Sequence, residues 1–238
     1  KELMSYEEML RVCGTLTQMG IEKIRITGGE PFARKDIMEF LTSLSQLAGL
    51  KELTLTTNGV LTEHYIPELK RIGIKSVNLS LDTIDRNRFF SITRRDELPK
   101  VLSTMESLLK HDIAVKINAV VMEGKNTEDI LPLAALTKEY PISVRYIEEM
   151  PFNGKGQRNM KEVWNYHKIL DNIKSNYKEI LPVASGKSST SHNFKVPNYL
   201  GTFGIIPAFT RTICNDCNRI RITSTGTFKN CLFDGGVF

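Results

Sequence analysis

Strand-like and helix-like patterns alternate through the first 150 residues, and this alternation limits the chain to a parallel sheet with helical crossovers. Ser5 and Glu8 have the spacing of a capping box, and Met9, Val12, Cys13, Leu16 and Met19 then mark one apolar helical face that stops at Gly20. Strands are expected at 23–27, 52–57, 75–81, 114–121 and 142–148, with helices at 35–48, 62–72, 98–111 and 127–139. Because these residues open on a helix, the pattern fits a six-stranded partial barrel of the (βα)6 kind whose first strand lies upstream, with residues 1–150 as one domain.

Past Met150 the rhythm changes, so residues 151–238 are expected to form a second domain. PFNGKGQRN is a glycine-rich basic loop, and 160–174 reads as a helix with Val163, Trp164, Ile169, Leu170 and Ile173 mostly on one side. Residues 183–200, rich in Ser, Lys and Asn, suggest a surface loop or hairpin. LGTFGIIP and the runs RIRIT and TFKNCLF around Ser224–Gly226 read as short antiparallel strands, an antiparallel β extension to the barrel.

Parallel strands covered by helices usually read as unbroken apolar runs, and these do not. Arg25 and Thr27, Thr54 and Thr56, Asn78, Ser80 and Asp82, Lys116 and Asn118, and Arg145 alternate with Ile24, Ile26, Leu53, Leu55, Val77, Leu79, Val115, Ile117 and Val144. Side chains alternate along a strand, so the polar set shares one face, the lumen. Three cations and one carboxylate cannot all pair there, and an unpaired buried charge costs several kcal/mol. The lumen is therefore expected to be wet and shaped for an anionic ligand; the competing reading is a solvated sheet face. TGGEP (27–31) and TTNG (56–59) close the first two strands, where functional residues of such barrels gather. The glycines would let a ligand approach the backbone, and Glu30 could accept a hydrogen bond from an amine.

The chain is 41% hydrophobic and 25% charged, ordinary values for a globular protein, and no apolar run approaches the roughly 20 residues that span a bilayer. Nothing resembles a signal peptide. Four cysteines, three of them clustered, argue for a metal site in a reducing compartment, hence the cytoplasm. The net charge of +5 suits an anionic partner.

Cys214, Cys217 and Cys231 form C-x2-C-x13-C, one thiolate short of a tetrahedral zinc site. Cys13, on an apolar helix face, reads as a core residue, and no histidine has ligand spacing to the cluster. Three thiolates also suit a four-iron cluster with one open iron, and spacing alone leaves zinc and iron–sulfur even. Arg219 and Arg221, two apart on a strand beside the thiolates, could hold phosphate or offset the cluster's charge.

The segments IRITGGEP, LTTNG, VNLSLD, VKINAVVMEG, VRYIEEMPF and CNDCNRIRIT…GTFKNCLF together resemble the GTP 3′,8-cyclase family of molybdenum cofactor biosynthesis, a family of radical S-adenosylmethionine (SAM) enzymes. The resemblance covers roughly residues 3–233, and the terminal cysteine motif is its most specific part. It implies a lyase that makes (8S)-3′,8-cyclo-7,8-dihydroguanosine 5′-triphosphate from GTP. It also implies a homodimer that passes its product to cyclic pyranopterin monophosphate synthase, with no nucleic-acid or membrane partner. By the same resemblance Arg25, Thr56, Lys116, Arg219 and Arg221 contact GTP, and Gly29, Ser80 and Met150 contact SAM with Glu30 near its methionine amine. Cys214, Cys217 and Cys231 then hold a second [4Fe-4S] cluster whose open iron GTP occupies; no catalytic side chain is assigned. The family's first cluster uses C-x3-C-x2-C, which these 238 residues lack, as they lack the family's diglycine tail. Of the two clusters the chain would ligate only the C-terminal one, and alone it is expected to be inactive. The alternatives are a peptide-modifying radical SAM enzyme with an auxiliary cluster and, from another class, a zinc-containing nucleic-acid-binding module.

Overall fold

The computed structural model describes residues 2–150, 164–184, 186, 189–210 and 217–231. Its helices are α1 (Tyr6–Gln18), α2 (Ile37–Ser45), α3 (Ile66–Arg71), α4 (Arg86–Thr93), α5 (Leu98–Lys110), α6 (Ile130–Glu139) and α7 (Tyr166–Asn176). The strands are β1 (Lys23–Ile26), β2 (Glu52–Thr57), β3 (Ser76–Ser80), β4 (Ala114–Val121), β5 (Ser143–Glu148), β6 (Leu181–Val183), β7 (His192–Lys195), β8 (Thr202–Ile206), β9 (Arg221–Ile222) and β10 (Phe228–Lys229).

One eight-stranded sheet has the order β1-β2-β3-β4-β5-β8-β7-β6, and β9 and β10 form a separate antiparallel pair. Strands β1 to β5 are parallel, as single-helix connections require. The fold is therefore mixed α/β with a mainly parallel sheet. LGTFGIIP departs from expectation: β8 pairs parallel with β5 and antiparallel only with β7. A sixth parallel strand thus comes from sequence beyond residue 150, reached by a long connection through α7. Residues 183–200 hold most of a hairpin, since β6 and β7 pair antiparallel.

Alternation along the strands is as the sequence implies. Val115, Ile117, Ala119 and Val121 of β4 are buried, whereas Lys116, Asn118 and Val120 between them are only partly covered. The buried set packs under α5 and α6, whose Leu98, Val101, Met105 and Leu108, and Ile130, Leu133 and Ala134, recur at helical spacing. Each such side chain contributes about 1.5–3 kcal/mol on burial. Helix α1 begins at the expected capping box, with the Ser5 hydroxyl accepting from Glu8 N and Ser5 N donating to the Glu8 carboxylate. Met19 is no part of its buried face: it caps the helix and is 76% exposed. Helix α4, in a stretch where the sequence pattern marks nothing, buries only Phe89 and is held by Asp85 at its N-cap and by Arg88 paired to buried Asp129 at 2.7 Å. No helix among the described residues is long and apolar enough to cross a membrane.

Candidate substrate and cofactor site

Two rungs of side chains cross the sheet on the face away from the helices. In register, Thr56, Asn78, Lys116, Ser143 and Thr202 form one, and Ser80, Asn118, Arg145 and Gly204 form the next. Arg25 sits on the edge strand β1 opposite Thr54. Part of this face is closed: Thr54 donates to Ser76 O at 2.8 Å, Asn78 Nδ2 donates to Thr56 Oγ1 at 3.3 Å, and Thr54 and Asn78 are buried. The remainder carries charge.

That charge is positive and crowded. Burial, then Arg25 and Arg219, push the Arg145 guanidinium down to about 10. Burial lowers Arg25 as well, and Arg219 and Arg221 add to the effect while Glu52 opposes it. Lys116 is lowered by burial, then by Arg145, with smaller contributions from Lys23 and Arg25. Among the described residues none of Arg25, Lys116, Arg145, Arg219 or Arg221 forms a salt bridge; Glu52, the one carboxylate that counters the group, is itself paired to Lys23 at 2.6 Å. Arg145 Nε and Asn118 Oδ1 are buried without a hydrogen-bond partner, a donor and an acceptor left open on adjacent strands. Cations gathered at this cost mark an anion site. Four of the five GTP contacts expected from sequence, Arg25, Lys116, Arg219 and Arg221, join one electrostatic group, and Arg145 joins them although only its lumen position was legible.

At the C-terminal end of the same face lies a cavity of about 210 Å3 lined by Gly28, Gly29, Glu30, Thr56, Thr57, Asn58 and Ser80. This brings together Gly29, Glu30 and Ser80, and Thr56 lines it too. A Cβ on Gly28 or Gly29 would meet no atom within 4 Å, so this backbone is open to a ligand. Met150 is half-buried and does not line the cavity. The Glu30 carboxylate is already engaged. Its Oε1 accepts from Phe32 N (3.2 Å) and Thr57 Oγ1 (2.7 Å), and its Oε2 accepts from Asn58 N (2.7 Å), so Glu30 ties the GGEP loop to the end of β2. Asp82, beyond β3, accepts from Val120 N at 2.8 Å, and burial raises its pKa.

Cys217 and Cys231 are exposed near the β9–β10 hairpin, and Cys214 lies outside the described residues. Cys13 is half-buried against the core, where burial raises its thiol pKa, in keeping with the packing role expected of it.

The parallel sheet thus carries an open glycine loop at its strand ends and a cationic face beside it, an arrangement that can take an anionic ligand. Residues 1–137 match the family model of the radical SAM superfamily, and 142–236 match that described as Molybdenum Cofactor Synthesis C. The chain is 39% identical to a GTP 3′,8-cyclase of Clostridium botulinum over 97% of its own length and 71% of that protein. It is 37% identical to the mitochondrial GTP 3′,8-cyclase of Arabidopsis thaliana (98% and 60%) and 38% identical to human molybdenum cofactor biosynthesis protein 1 (97% and 36%). Streptococcus suis SuiB shares the fold with a TM-score of 0.70 at 16% identity, covering 98% of this chain and 55% of that one. The chain belongs to the radical SAM superfamily and, within it, to the GTP 3′,8-cyclase family. It spans about a third of the human relative and three-fifths of the plant one.

Proposed function

We propose that this chain forms the GTP- and SAM-binding body of a GTP 3′,8-cyclase acting in molybdenum cofactor biosynthesis. The observation that carries the reading is the group of Arg25, Lys116, Arg145, Arg219 and Arg221, which form no salt bridge among the described residues and in which the pKa values of Arg25, Lys116 and Arg145 are lowered by burial and by neighbouring cations. A triphosphate supplies several acceptor oxygens and the negative charge this face lacks. Arg145 Nε–H, without a partner among the described residues, donates to it. The open Gly28–Gly29 backbone and Ser80 fit the amino-acid and ribose portions of SAM, with Met150 nearby in sequence from β5. Glu30 fixes the loop shape through three hydrogen bonds and keeps lone pairs for a ligand amine.

SAM and the iron–sulfur cluster beside it would supply the radical chemistry that joins the ribose 3′ carbon of GTP to C8 of the guanine, with Gly29, Ser80 and Met150 holding the SAM and Glu30 near its amine. The protein's part is to hold the triphosphate rigidly, exclude water and present that carbon to the glycine-loop cavity. Cys214, Cys217 and Cys231 would hold the second cluster, which would supply a binding position for the guanine. The division at residue 150 is then functional: 1–150 carries the SAM end, 151–238 the guanine end, in a homodimer that hands its product to the next synthase of the pathway.

Calorimetry with GTP on the anaerobically reconstituted full-length enzyme tests the reading. One GTP per chain is expected, with affinity falling at least tenfold in Lys116→Ala and Arg145→Ala. Wild-type affinity in both variants would remove the cationic face from substrate binding.

A further inference from the structure

β5 breaks its own pattern at its last residue. Val144 and Tyr146 point into the core beneath the helices, and Glu148 follows in the same phase, 1% exposed. A carboxylate in that position costs several kcal/mol unless donors surround it. They do. Oε1 accepts from Tyr166 N at 2.6 Å, and Oε2 accepts from Phe209 N and Thr210 N, both at 2.8 Å. The Thr210 hydroxyl lies 3.2 Å from each oxygen.

These donors come from two places. Tyr166 is the first residue of α7, whose free N–H groups and dipole favour an anion. Phe209 and Thr210 follow β8 and lead to the cysteine motif, Thr210 standing four residues before Cys214 in the chain. Four residues reach at most roughly 14 Å, so whatever fixes Thr210 limits where Cys214 can stand. The carboxylate thus joins the end of β5, the start of α7 and the approach to the cysteines, at one end of the strand that carries Arg145.

We propose that Glu148 is a positioning residue for the second cluster, tying Phe209 and Thr210, which precede the cysteine motif in sequence, to the end of the strand that carries Arg145. This rests on the reading of Cys214, Cys217 and Cys231 as cluster ligands. An acceptor-only group is required: Glu148→Gln would turn an NH2 toward N–H donors, leaving at least one of them unpaired. Glu148→Asp keeps the charge but withdraws it from its partners.

The test compares wild-type, Glu148→Gln and Glu148→Asp holoenzyme, reconstituted anaerobically, with Cys231→Ser as control. Iron content, the electron paramagnetic resonance spectrum of the second cluster with and without GTP, and KM for GTP and SAM are measured. Glu148→Gln is expected to lose or broaden the GTP-induced spectral change and to raise KM for GTP about tenfold, with KM for SAM within twofold. Glu148→Asp should fall between it and wild type. A folded Glu148→Gln enzyme with the wild-type spectral response and KM for GTP overturns the proposal. If Glu148→Gln does not fold, Glu148→Asp decides: a threefold or larger rise in KM for GTP supports the proposal, and no change overturns it. Cys231→Ser that keeps full iron and the second-cluster spectrum overturns the cluster reading, and this proposal with it.

Discussion

The hydroxyl of Thr57 stands 2.7 Å from Oε1 of Glu30, joining two loops that lie 27 residues apart. Thr57 Oγ1 also accepts from Gly59 N at 3.0 Å and lies 2.8 Å from Thr62 Oγ1, so one buried hydroxyl serves three partners at the rim of the glycine-loop cavity. Thr57→Val keeps the shape and removes all three contacts, leaving the Gly59 N–H without its acceptor. A loss of about 1–3 kcal/mol is expected in urea unfolding, together with weaker SAM binding. An unchanged midpoint would mean that the rim is held by other contacts.

Arg145 bears on stability in the opposite sense. Its pKa is pushed down to about 10, so the folded state disfavours the cation and the cost is present at all pH values below that point. The cost is relieved as pH rises from about 10 toward the ordinary arginine value. Arg145→Met is therefore expected to stabilise the ligand-free protein at pH 7 by about 1 kcal/mol or more, with the gain shrinking above pH 10. Thermal melts at pH 7 and pH 10.5 read both effects, and inorganic triphosphate should raise the wild-type melting temperature more than that of the variant. A destabilised variant at pH 7 would show that Arg145 is satisfied within the protein.

The thiols separate cleanly. Cys214→Ser, Cys217→Ser and Cys231→Ser should each lose iron and the visible absorbance of the second cluster, whereas Cys13→Ser, half-buried against α1's packing partners, should keep both. Iron and sulfide analysis after anaerobic reconstitution measures this. Zinc in place of iron would overturn the iron–sulfur reading of these thiols.

Two glycines should respond with opposite signs. A Cβ at Gly201, just before β8, would overlap the carbonyl oxygen of Ile142, so Gly201→Ala is expected to cost about 1–3 kcal/mol or more. Gly14 lies within α1, where a Cβ would meet only Leu47 Cδ2 at 3.8 Å, and Gly14→Ala should stabilise by about 0.5–1 kcal/mol. Chemical denaturation of the two variants side by side gives the signs directly.

Strand positions and the face on which Arg25, Lys116 and Arg145 lie were legible because a period of two leaves little freedom once apolar partners such as Ile117 and Val144 are fixed. Helix α4 was not, since Arg86–Thr93 buries only Phe89 and its stability comes from Asp85 and the distant Asp129. The direction of β8 was hidden for another reason. Its own residues read equally well as parallel or antiparallel, and only the path of the chain through α7 decides. The role of Glu30 illustrates a third kind of difference: an amine ligand can be guessed from residue type, whereas hydrogen bonds to Thr57 and Asn58 depend on loops meeting in space. Glu148 gave a signal that could have been used, a carboxylate in the apolar phase of an otherwise regular strand.

β5 and β8 are hydrogen-bonded neighbours, although the family models meet between residues 137 and 142 and the rhythm of the chain breaks at 150. A polypeptide cut after residue 150 would expose the bare side of β5 and strip Phe203 and Ile205 from the core, a surface prone to self-association. Exchanging C-terminal halves between relatives therefore means regrafting a strand into the middle of a sheet, so the side chains of β8 and those of β5 and α7 beneath it must be transplanted together.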